Sequence, residues 1–252
     1  MRLQNKVAIV TGGGGGIGEA IATLFAREGA SVTITGRRRE KLDGVVEAIA
    51  QAGGQAMAVS GSVTAEADVQ RAIDATGQRF GRIDILVNNA GSLFHVGPLH
   101  EITDSVWNET IDIFLNGTFR FTRAVIPQML KQGGGSILNI STVVGLKALS
   151  TFPAHAYQAA KAGVIMLTKT TAISYAKEGI RCNCICPGGV DTPGVSKWTS
   201  DPQMRAGFDA MHPVGRMGRP EEIARAAVYF ASDEAVWTTG SVLPVDGGMM
   251  AQ

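Results

Sequence analysis

The stretch TGGGGGIG, residues 11–18, places five consecutive glycines close to the start of the chain. Glycine has no Cβ and tolerates positive φ, so such a run suits a flexible linker or a loop whose backbone approaches a ligand. The residues before it favour the loop. Residues 7–10, VAIV, form a short β-branched apolar run that predicts a strand buried on both faces. A linker would not begin inside a core strand.

A helix is predicted to follow the glycines directly, because apolar residues recur there every three to four positions. These residues are Ile17, Ile21, Leu24 and Phe25. The order strand, glycine turn, helix surrounds a space free of side chains with unpaired N–H groups and the positive end of a helix dipole. We therefore predict that residues 11–18 bind the phosphates of a nucleotide, although the spacing TGxxxGxG differs from the dinucleotide fingerprint GxGxxG.

Strand-like and helix-like runs alternate along all 252 residues. Strands are predicted at residues 7–10, 31–35, 55–59, 83–87, 136–140, 180–185 and 241–245. Repeated βαβ units give a parallel sheet with helices on both faces, so we predict one α/β domain spanning residues 1–252. The stretch 190–218, rich in Pro, Gly and Met, is predicted to be a substrate loop.

Composition narrows the choice of partners. The net charge is +1 with both signs interspersed, which is not the electrostatic footprint of a protein that binds nucleic acid or an anionic membrane. No apolar stretch approaches the ~18 residues that cross a bilayer. The apolar run at 7–10 is also too short for a signal peptide. We expect a cytoplasmic protein that acts on small molecules.

Three cysteines, Cys182, Cys184 and Cys186, alternate in RCNCICPG. On a strand they share one face with neighbours roughly 6 to 7 Å apart, which is awkward for a tetrahedral metal ion or an unstrained disulfide. We predict small buried residues and no metal site.

A second chemical signal is YQAAK, in which Tyr157 and Lys161 stand four residues apart. On a helix both side chains share a face, so this is either a surface pair or a converging phenol and ammonium. The unperturbed pKa of tyrosine is about 10, so acid/base work near neutrality requires a lower pKa. A cation about 4 Å away is worth on the order of 4 kcal/mol at an effective dielectric near 20, and so could supply most of that change.

With these residues in view, the chain resembles the classical short-chain dehydrogenases/reductases over essentially its full length. The matching motifs, in family order, are TGGGGGIG at 11–18, NNAG at 88–91, the pair Tyr157 and Lys161, Pro187 and Gly188 with Thr192, and DGG at 246–248. The resemblance implies a Rossmann-type doubly wound parallel sheet of about seven strands, with a dinucleotide across the carboxyl ends of the strands.

The resemblance also implies site residues. Cofactor contacts are expected from Gly12, Gly15, Gly16, Ile17, Gly18, Arg37, Asn89, Ala90, Gly91, Tyr157, Lys161, Pro187, Gly188, Val190 and Thr192. In this family the tyrosine exchanges a proton with the carbinol oxygen while a hydride moves between nicotinamide and carbon. The lysine holds the ribose hydroxyls and lowers the tyrosine pKa, and a serine hydroxyl orients the carbonyl. The implied activity is hydride transfer between NADP(H) and a ketone or secondary alcohol.

Two positions depart from the family pattern. The serine position carries Thr142, with Ser141 one residue earlier; either hydroxyl could donate, and Thr142 is favoured because Ser141 requires a shift in register. The family's catalytic asparagine is replaced by Phe114, and Asn116, two positions later, should point elsewhere. The segment DIFLNGT also resembles 2,4-dienoyl-thioester reductases. An enoyl- or dienoyl-thioester reductase and an inactive dinucleotide-binding homologue are therefore the alternatives.

Cofactor choice is predicted from the end of the second strand, where an acid suits NAD and a basic residue suits NADP. Residues 35–38 read TGRR, so Arg37 favours NADP(H). NAD(H) remains the alternative, because Gly15 occupies a position where many NADP-dependent relatives carry a second basic residue. By the same resemblance we expect a homotetramer assembled through helices near 107–130 and 157–177.

Overall fold

The structure is a computed structural model that describes residues 1–91, 94–150 and 152–252. Its strands are β1 Val7–Thr11, β2 Ser31–Gly36, β3 Gln55–Ser60, β4 Ile85–Asn88, β5 Gly135–Ile140, β6 Ile180–Pro187 and β7 Val242–Val245. Its α-helices are α1 Gly16–Arg27, α2 Arg39–Gln51, α3 Glu66–Phe80, α4 Asp104–Ile111, α5 Gly117–Lys131, α6 His155–Tyr175, α7 Ser196–Thr199, α8 Pro202–Ala210 and α9 Pro220–Ala231. A π-helical segment, Asp112–Asn116, joins α4 to α5.

The strands form one parallel sheet in the order β3-β2-β1-β4-β5-β6-β7. Val10 of β1 pairs with Ile34 on one side and with Val87 on the other. The chain therefore works outward from β1 in one direction and then, after crossing over to β4, outward in the other. Ligands of open α/β sheets bind at the carboxyl ends of the strands where this reversal occurs.

Each strand contributes its apolar side chains alternately to two cores, one on each face of the sheet. Val10 contributes to the core beneath α1, α2 and α9, whereas its neighbour Ile9 contributes to the core beneath α3, α5 and α6. Phe25 and Phe121 are among the largest fully buried side chains of these two cores. This two-sided burial explains the continuous apolar runs of the strands. The predicted doubly wound α/β sheet is confirmed.

All seven predicted strands are present, with small changes at their ends. The fourth strand begins at Ile85 rather than at 83 and continues to Asn88. Asp84, just before it, accepts a hydrogen bond from the Val7 N–H at 2.8 Å through its carboxylate. The carboxylate of Asp84 thus accepts from a backbone N–H that a backbone oxygen would accept from in a regular strand pair.

The predicted substrate loop at 190–218 has secondary structure of its own, namely α7 and α8. Asp201 caps α8, since its Oδ1 accepts from Gln203 N at 2.7 Å. The two ends of the segment are tied together by a parallel bridge between Val190 and Gly218. The segment therefore leaves the sheet edge and returns to the same place, and it contains two short helices that its Pro and Gly content alone did not predict.

Candidate active site

Tyr157 and Lys161 lie in the first two turns of α6 and converge at the carboxyl edge of the sheet. The Nζ atom of Lys161 lies 5.9 Å from the centre of the Tyr157 ring. It donates a hydrogen bond to the main-chain oxygen of Ile140 at 2.7 Å. Because Ile140 is the last residue of β5, this bond anchors the lysine beside the end of the central strands.

Burial opposes the ionised form of both residues. Lys161 is only 6% exposed, and burial lowers the pKa of its ammonium to about 8. Burial raises the pKa of Tyr157 to about 12, against a hydrogen bond with Thr142 that acts in the opposite direction. A lowered tyrosine pKa is expected from the sequence. The structure gives the reverse, because desolvation of the phenol outweighs its hydrogen bond with Thr142.

The two hydroxyls that follow β5 face different partners. Ser141 is buried, and its Oγ donates to the main-chain oxygen of Lys161 at 2.9 Å. Thr142 instead shares a hydrogen bond with Tyr157 and lies 3.5 Å from the Pro187 carbonyl oxygen, to which it donates. Of the two candidates, Thr142 is therefore the hydroxyl that faces the phenol.

The glycine turn leaves room for an anion at the start of α1. Gly15 is the N-cap residue, and among the described residues its side of the helix has no side-chain cap on the first N–H groups. A Cβ on Gly15 would meet no described atom within 4 Å. Gly12 has φ of +67°, and a Cβ on Gly18 would lie 2.3 Å from the Gly12 oxygen, so both positions require glycine. Uncapped N–H groups, a helix N-terminus and open space fit a pyrophosphate.

The remaining residues of this turn point into the fold or toward other predicted cofactor contacts. Ile17 packs against the core beneath α1. A Cβ on Gly16 would lie 3.2 Å from the Cβ of Thr192, so the segment after β6 lies directly over the glycine turn. Pro187, the last residue of β6, and Gly188 lead into that segment. The structure thus brings the first and last predicted cofactor motifs together.

The NNAG segment is fixed to the glycine turn by Thr11, to which the sequence argument assigned no role. The Thr11 hydroxyl accepts from the N–H groups of Asn89 and Ala90 at 2.9 and 3.0 Å. The Asn89 side chain donates to the oxygens of Thr11 and Gly12 at 3.0 and 3.3 Å. The segments at the carboxyl ends of β1 and β4 are therefore hydrogen-bonded to each other, and Gly91 follows directly after the bonded residues.

Arg37 lies directly after β2 at the same edge of the sheet and is exposed. The end of β2 is hydrogen-bonded to the glycine turn, because the Gly12 N–H donates to the Thr35 oxygen at 2.8 Å. A cation at residue 37 therefore stands beside the predicted phosphate site.

Comparison with known proteins identifies the family of the chain. Residues 12–250 match the family model described as enoyl-(acyl carrier protein) reductase. Cis-4-hydroxycyclohexanecarboxylate dehydrogenase of Sinomonas cyclohexanicum is 41% identical over 98% of this chain and 97% of its own length. The 3-oxoacyl-[acyl-carrier-protein] reductase of Thermotoga maritima is 38% identical over 99% of this chain and 100% of its own.

Among solved structures, a short-chain type dehydrogenase/reductase from Mycobacterium ulcerans superimposes with a TM-score of 0.95 and 31% identity. That match covers 100% of this chain and 92% of the other. The chain belongs to the short-chain dehydrogenases/reductases. Short-chain dehydrogenases/reductases are oxidoreductases that use a nicotinamide dinucleotide, and this chain is an enzyme of that class acting on CH–OH/C=O groups.

The aromatic side chains that surround Tyr157 in this short-chain dehydrogenase lie, apart from Phe114, outside the sequence motifs. The aromatic cluster consists of Phe94, Phe114, Phe152, Tyr157 and Trp198. Phe94 stacks on Tyr157 with ring centres 4.0 Å apart and also contacts Phe152 edge-on at 5.9 Å. Trp198, from α7, lies 6.4 Å from Phe94. A cavity of about 220 Å³ is lined in part by Phe94. No spacing rule links these residues, since they come from separate loops and helices.

Phe114 lies in the π-helical segment and points toward Tyr157. Its ring meets Tyr157 edge-on with centres 4.9 Å apart. Asn116 points elsewhere, as predicted, and its side chain donates to Asp112 at 3.1 Å. Asp112 also pairs with Arg120 at 2.7 Å. The irregular helix that holds residue 114 is therefore present here with a phenylalanine at the family's asparagine position.

His212 has a structural role. His212 is 3% exposed, and its Nε2 accepts from the Gly189 N–H at 2.9 Å while its Nδ1 lies 2.8 Å from the Phe208 oxygen. This histidine therefore braces the turn after β6.

The three cysteines are fully buried on β6. The Sγ atoms of Cys184 and Cys186 are 3.9 Å apart. Contact with Cys186 and burial raise the pKa of Cys184, and burial raises that of Cys182 to about 12. Within the described residues, no group of three or more His, Cys, Asp or Glu side chains is arranged to hold a metal ion.

Proposed function

We propose that this enzyme transfers a hydride between NADP(H) and a ketone or secondary alcohol, with Tyr157 as general acid/base. The observation that carries the proposal is the placement of Tyr157, Lys161 and the Thr142 hydroxyl together at the carboxyl edge of the sheet, beside an uncapped helix N-terminus. An acid, an orienting hydroxyl and an anion site at one edge suit carbonyl reduction next to a dinucleotide.

The nicotinamide, when bound, supplies or accepts the hydride. In the reducing direction the Tyr157 phenol donates a proton to the carbonyl oxygen. Its raised pKa of about 12 means that the phenol is protonated before the transfer, while the transfer itself requires stabilisation of the phenolate that forms. The Thr142 hydroxyl orients the same oxygen. Lys161 holds the ribose hydroxyls and supplies the positive charge that stabilises the phenolate after transfer.

The dinucleotide would be held along the sheet edge. The N–H groups at Gly15 and Gly16 would hold the pyrophosphate, and the segment with Asn89 and Ala90, fixed to Thr11, would lie along the same cofactor. Arg37, exposed beside the glycine turn, is suited to a 2′-phosphate. We therefore propose NADP(H) as the preferred cofactor, with NAD(H) as the alternative.

The aromatic cluster favours an apolar ring as the substrate. Phe94, Phe152 and Trp198 present flat apolar surfaces beside the phenol, and such surfaces bind carbocycles through area burial rather than hydrogen bonds. A relative at 41% identity is named for a hydroxylated cyclohexanecarboxylate. We propose a secondary alcohol on a saturated ring, or its ketone, as the substrate class.

Acyl thioesters are the second candidate, because the matching family model is described as an enoyl-(acyl carrier protein) reductase and one relative reduces 3-oxoacyl groups by name. Substrate preference separates the two candidates. Purified enzyme would be assayed with NADPH against cyclohexanone, 3-oxoacyl thioesters and enoyl thioesters, and with NADP⁺ against cyclohexanol.

The proposal expects the highest kcat/KM with the cyclic ketone. A preference for either thioester would replace it with the second candidate. Dinucleotide binding without turnover of any compound would identify an inactive homologue.

We further propose a homotetramer. Helices α5 and α6 carry exposed apolar side chains, among them Phe119, Leu130, Met166 and Ile173. Apolar residues on two adjacent helices suit a symmetric interface.

Among the described residues, no helix has the length and apolar character needed to cross a bilayer.

A further inference from the structure

The Lys161 ammonium lies over an aromatic ring, and this contact has no counterpart in the roles assigned so far. Its Nζ atom is 5.0 Å from the centre of the Phe114 ring. That distance is within the range in which a cation is attracted by the negative face of an aromatic ring. The ammonium also donates to the main-chain oxygen of Ile140 at 2.7 Å and lies farther, 5.9 Å, from the centre of the Tyr157 ring.

The surroundings hold the Phe114 ring in this position. The ring is 5% exposed and is packed between Gly91 and Tyr157. A Cβ on Gly91 would lie 3.0 Å from Cε1 of Phe114, so only a glycine leaves full room for the ring. On the helix side, Thr118 donates its hydroxyl to the Phe114 oxygen at 2.9 Å and fixes the backbone of the π-helical segment.

We propose that Phe114 is a positioning residue that holds the Lys161 ammonium through a cation–π contact and so keeps the lysine charged inside the protein. This inference rests on the proposed function, in which Lys161 acts as a cation. A buried ammonium loses the stabilisation that hydrating water gives it. Attraction to the negative face of the Phe114 ring replaces part of this stabilisation, a role that a water or an amide would otherwise have.

The titratable groups that face the lysine are Tyr157, on the same helix, and Cys184 and Cys186, on β6. Negative charge on the two cysteines raises the pKa of Lys161, but burial has the larger effect and lowers it. The π-helical segment contributes Phe114, while its acid, Asp112, is paired with Arg120. Burial lowers the pKa of Lys161 to about 8, so the contact operates near physiological pH, where the lysine is close to losing its charge.

The test weakens the ring face while leaving the ring in place. Phe114 is replaced by 4-fluoro-, 3,5-difluoro- and 3,4,5-trifluorophenylalanine, which progressively remove the negative face at nearly constant volume. The protein without cofactor, labelled with ¹³C at lysine Cε, is titrated by NMR, and the Lys161 signal is assigned by its loss in Lys161→Arg. Phe121, buried on α5, receives the same series as a matched control.

We expect the Lys161 titration midpoint to fall stepwise along the Phe114 series, by about one pH unit in total. The Phe121 series should leave it unchanged. An unchanged midpoint across the Phe114 series, or an equal fall in the Phe121 series, would overturn the proposal.

A second readout separates the cation–π contact from simple packing. Phe114→Leu should lower the Lys161 midpoint as far as trifluorophenylalanine does. Phe114→Tyr keeps an electron-rich ring and should therefore keep the wild-type midpoint. Equal midpoints in the Leu and Tyr variants would count against the proposal. None of these titrations requires turnover, so an enzyme inactive on every carbonyl compound would refute the proposed function and leave this inference to be decided by NMR.

Discussion

The hydroxyl of Ser141 donates to the main-chain oxygen of Lys161 at 2.9 Å, which fastens the second turn of α6 to the end of β5. The neighbouring Thr142 faces Tyr157 instead. Under the proposed mechanism the Ser141 hydroxyl supports the backbone and the Thr142 hydroxyl orients the substrate, so their loss should have different effects.

Thr142→Val keeps the side-chain shape and removes the hydroxyl, and we expect kcat to fall by about 10²-fold, as when one donor to a reacting oxygen is lost. Thr142→Ser should retain activity within about tenfold. Ser141→Ala should instead lower the free energy of unfolding by about 1 kcal/mol with turnover largely retained. Steady-state kinetics and urea unfolding check both, and a harmless Thr142→Val beside an inactive, folded Ser141→Ala would reverse the assignment.

Tyr157→Phe removes the transferable proton and leaves the ring within the aromatic cluster. We expect kcat to fall by at least about 10³-fold while the Kd of NADPH, measured by fluorescence, changes little. Tyr175→Phe, on the same helix, is the control and should be silent. Wild-type activity in Tyr157→Phe would remove the tyrosine from the mechanism.

The sheet could be predicted from the sequence because buried parallel strands are marked by continuous apolar runs. Residues 7–10 and 180–185 carry that signal clearly, and both lie inside observed strands. The glycine turn was predictable for a related reason, since strand, glycines and helix follow one another without interruption. Contacts local in sequence leave a pattern in sequence.

Contacts between distant segments leave no such pattern. Phe94 stacks on Tyr157 although 63 positions separate them, and the periodicity of neither segment indicates the pairing. The direction of the Tyr157 pKa shift was also missed, because it depends on how much water the fold removes from the phenol. The spacing of Tyr157 and Lys161 gives the meeting point but not the solvation there.

Arg37→Asp should shift preference from NADPH toward NADH. A charge-assisted contact with a phosphate is worth about 1.5 to 3 kcal/mol, so the ratio of kcat/KM for the two cofactors should change by roughly ten- to a hundredfold. Arg79→Asp, exposed near the end of α3, is the matched charge control. A wild type that already prefers NADH would refute the cofactor proposal.

The oligomer is expected to depend on the apolar residues of α6. Ile173 is 80% exposed in the single chain, and Ile173→Asp should place a charge in the proposed interface and dissociate the tetramer. Light scattering at micromolar concentration gives the mass directly. Val236→Asp, on an exposed turn outside α5 and α6, is the control. A monomer mass for the wild type would exclude the tetramer.

Burial of the Lys161 ammonium predicts a particular dependence of stability on pH. The pKa of Lys161 is lowered from 10.5 to about 8 in the folded protein. Between these values the unfolded state binds a proton that the native state lacks, so this group makes stability rise with pH across that window. Below pH 8 the ammonium is charged in both states and its full desolvation cost is present. Lys161→Met should therefore stabilise the protein most below pH 8, with the advantage shrinking toward pH 10. Urea unfolding of both proteins without cofactor from pH 6.5 to 10 measures the difference, and a constant difference would show that residue 161 is not desolvated.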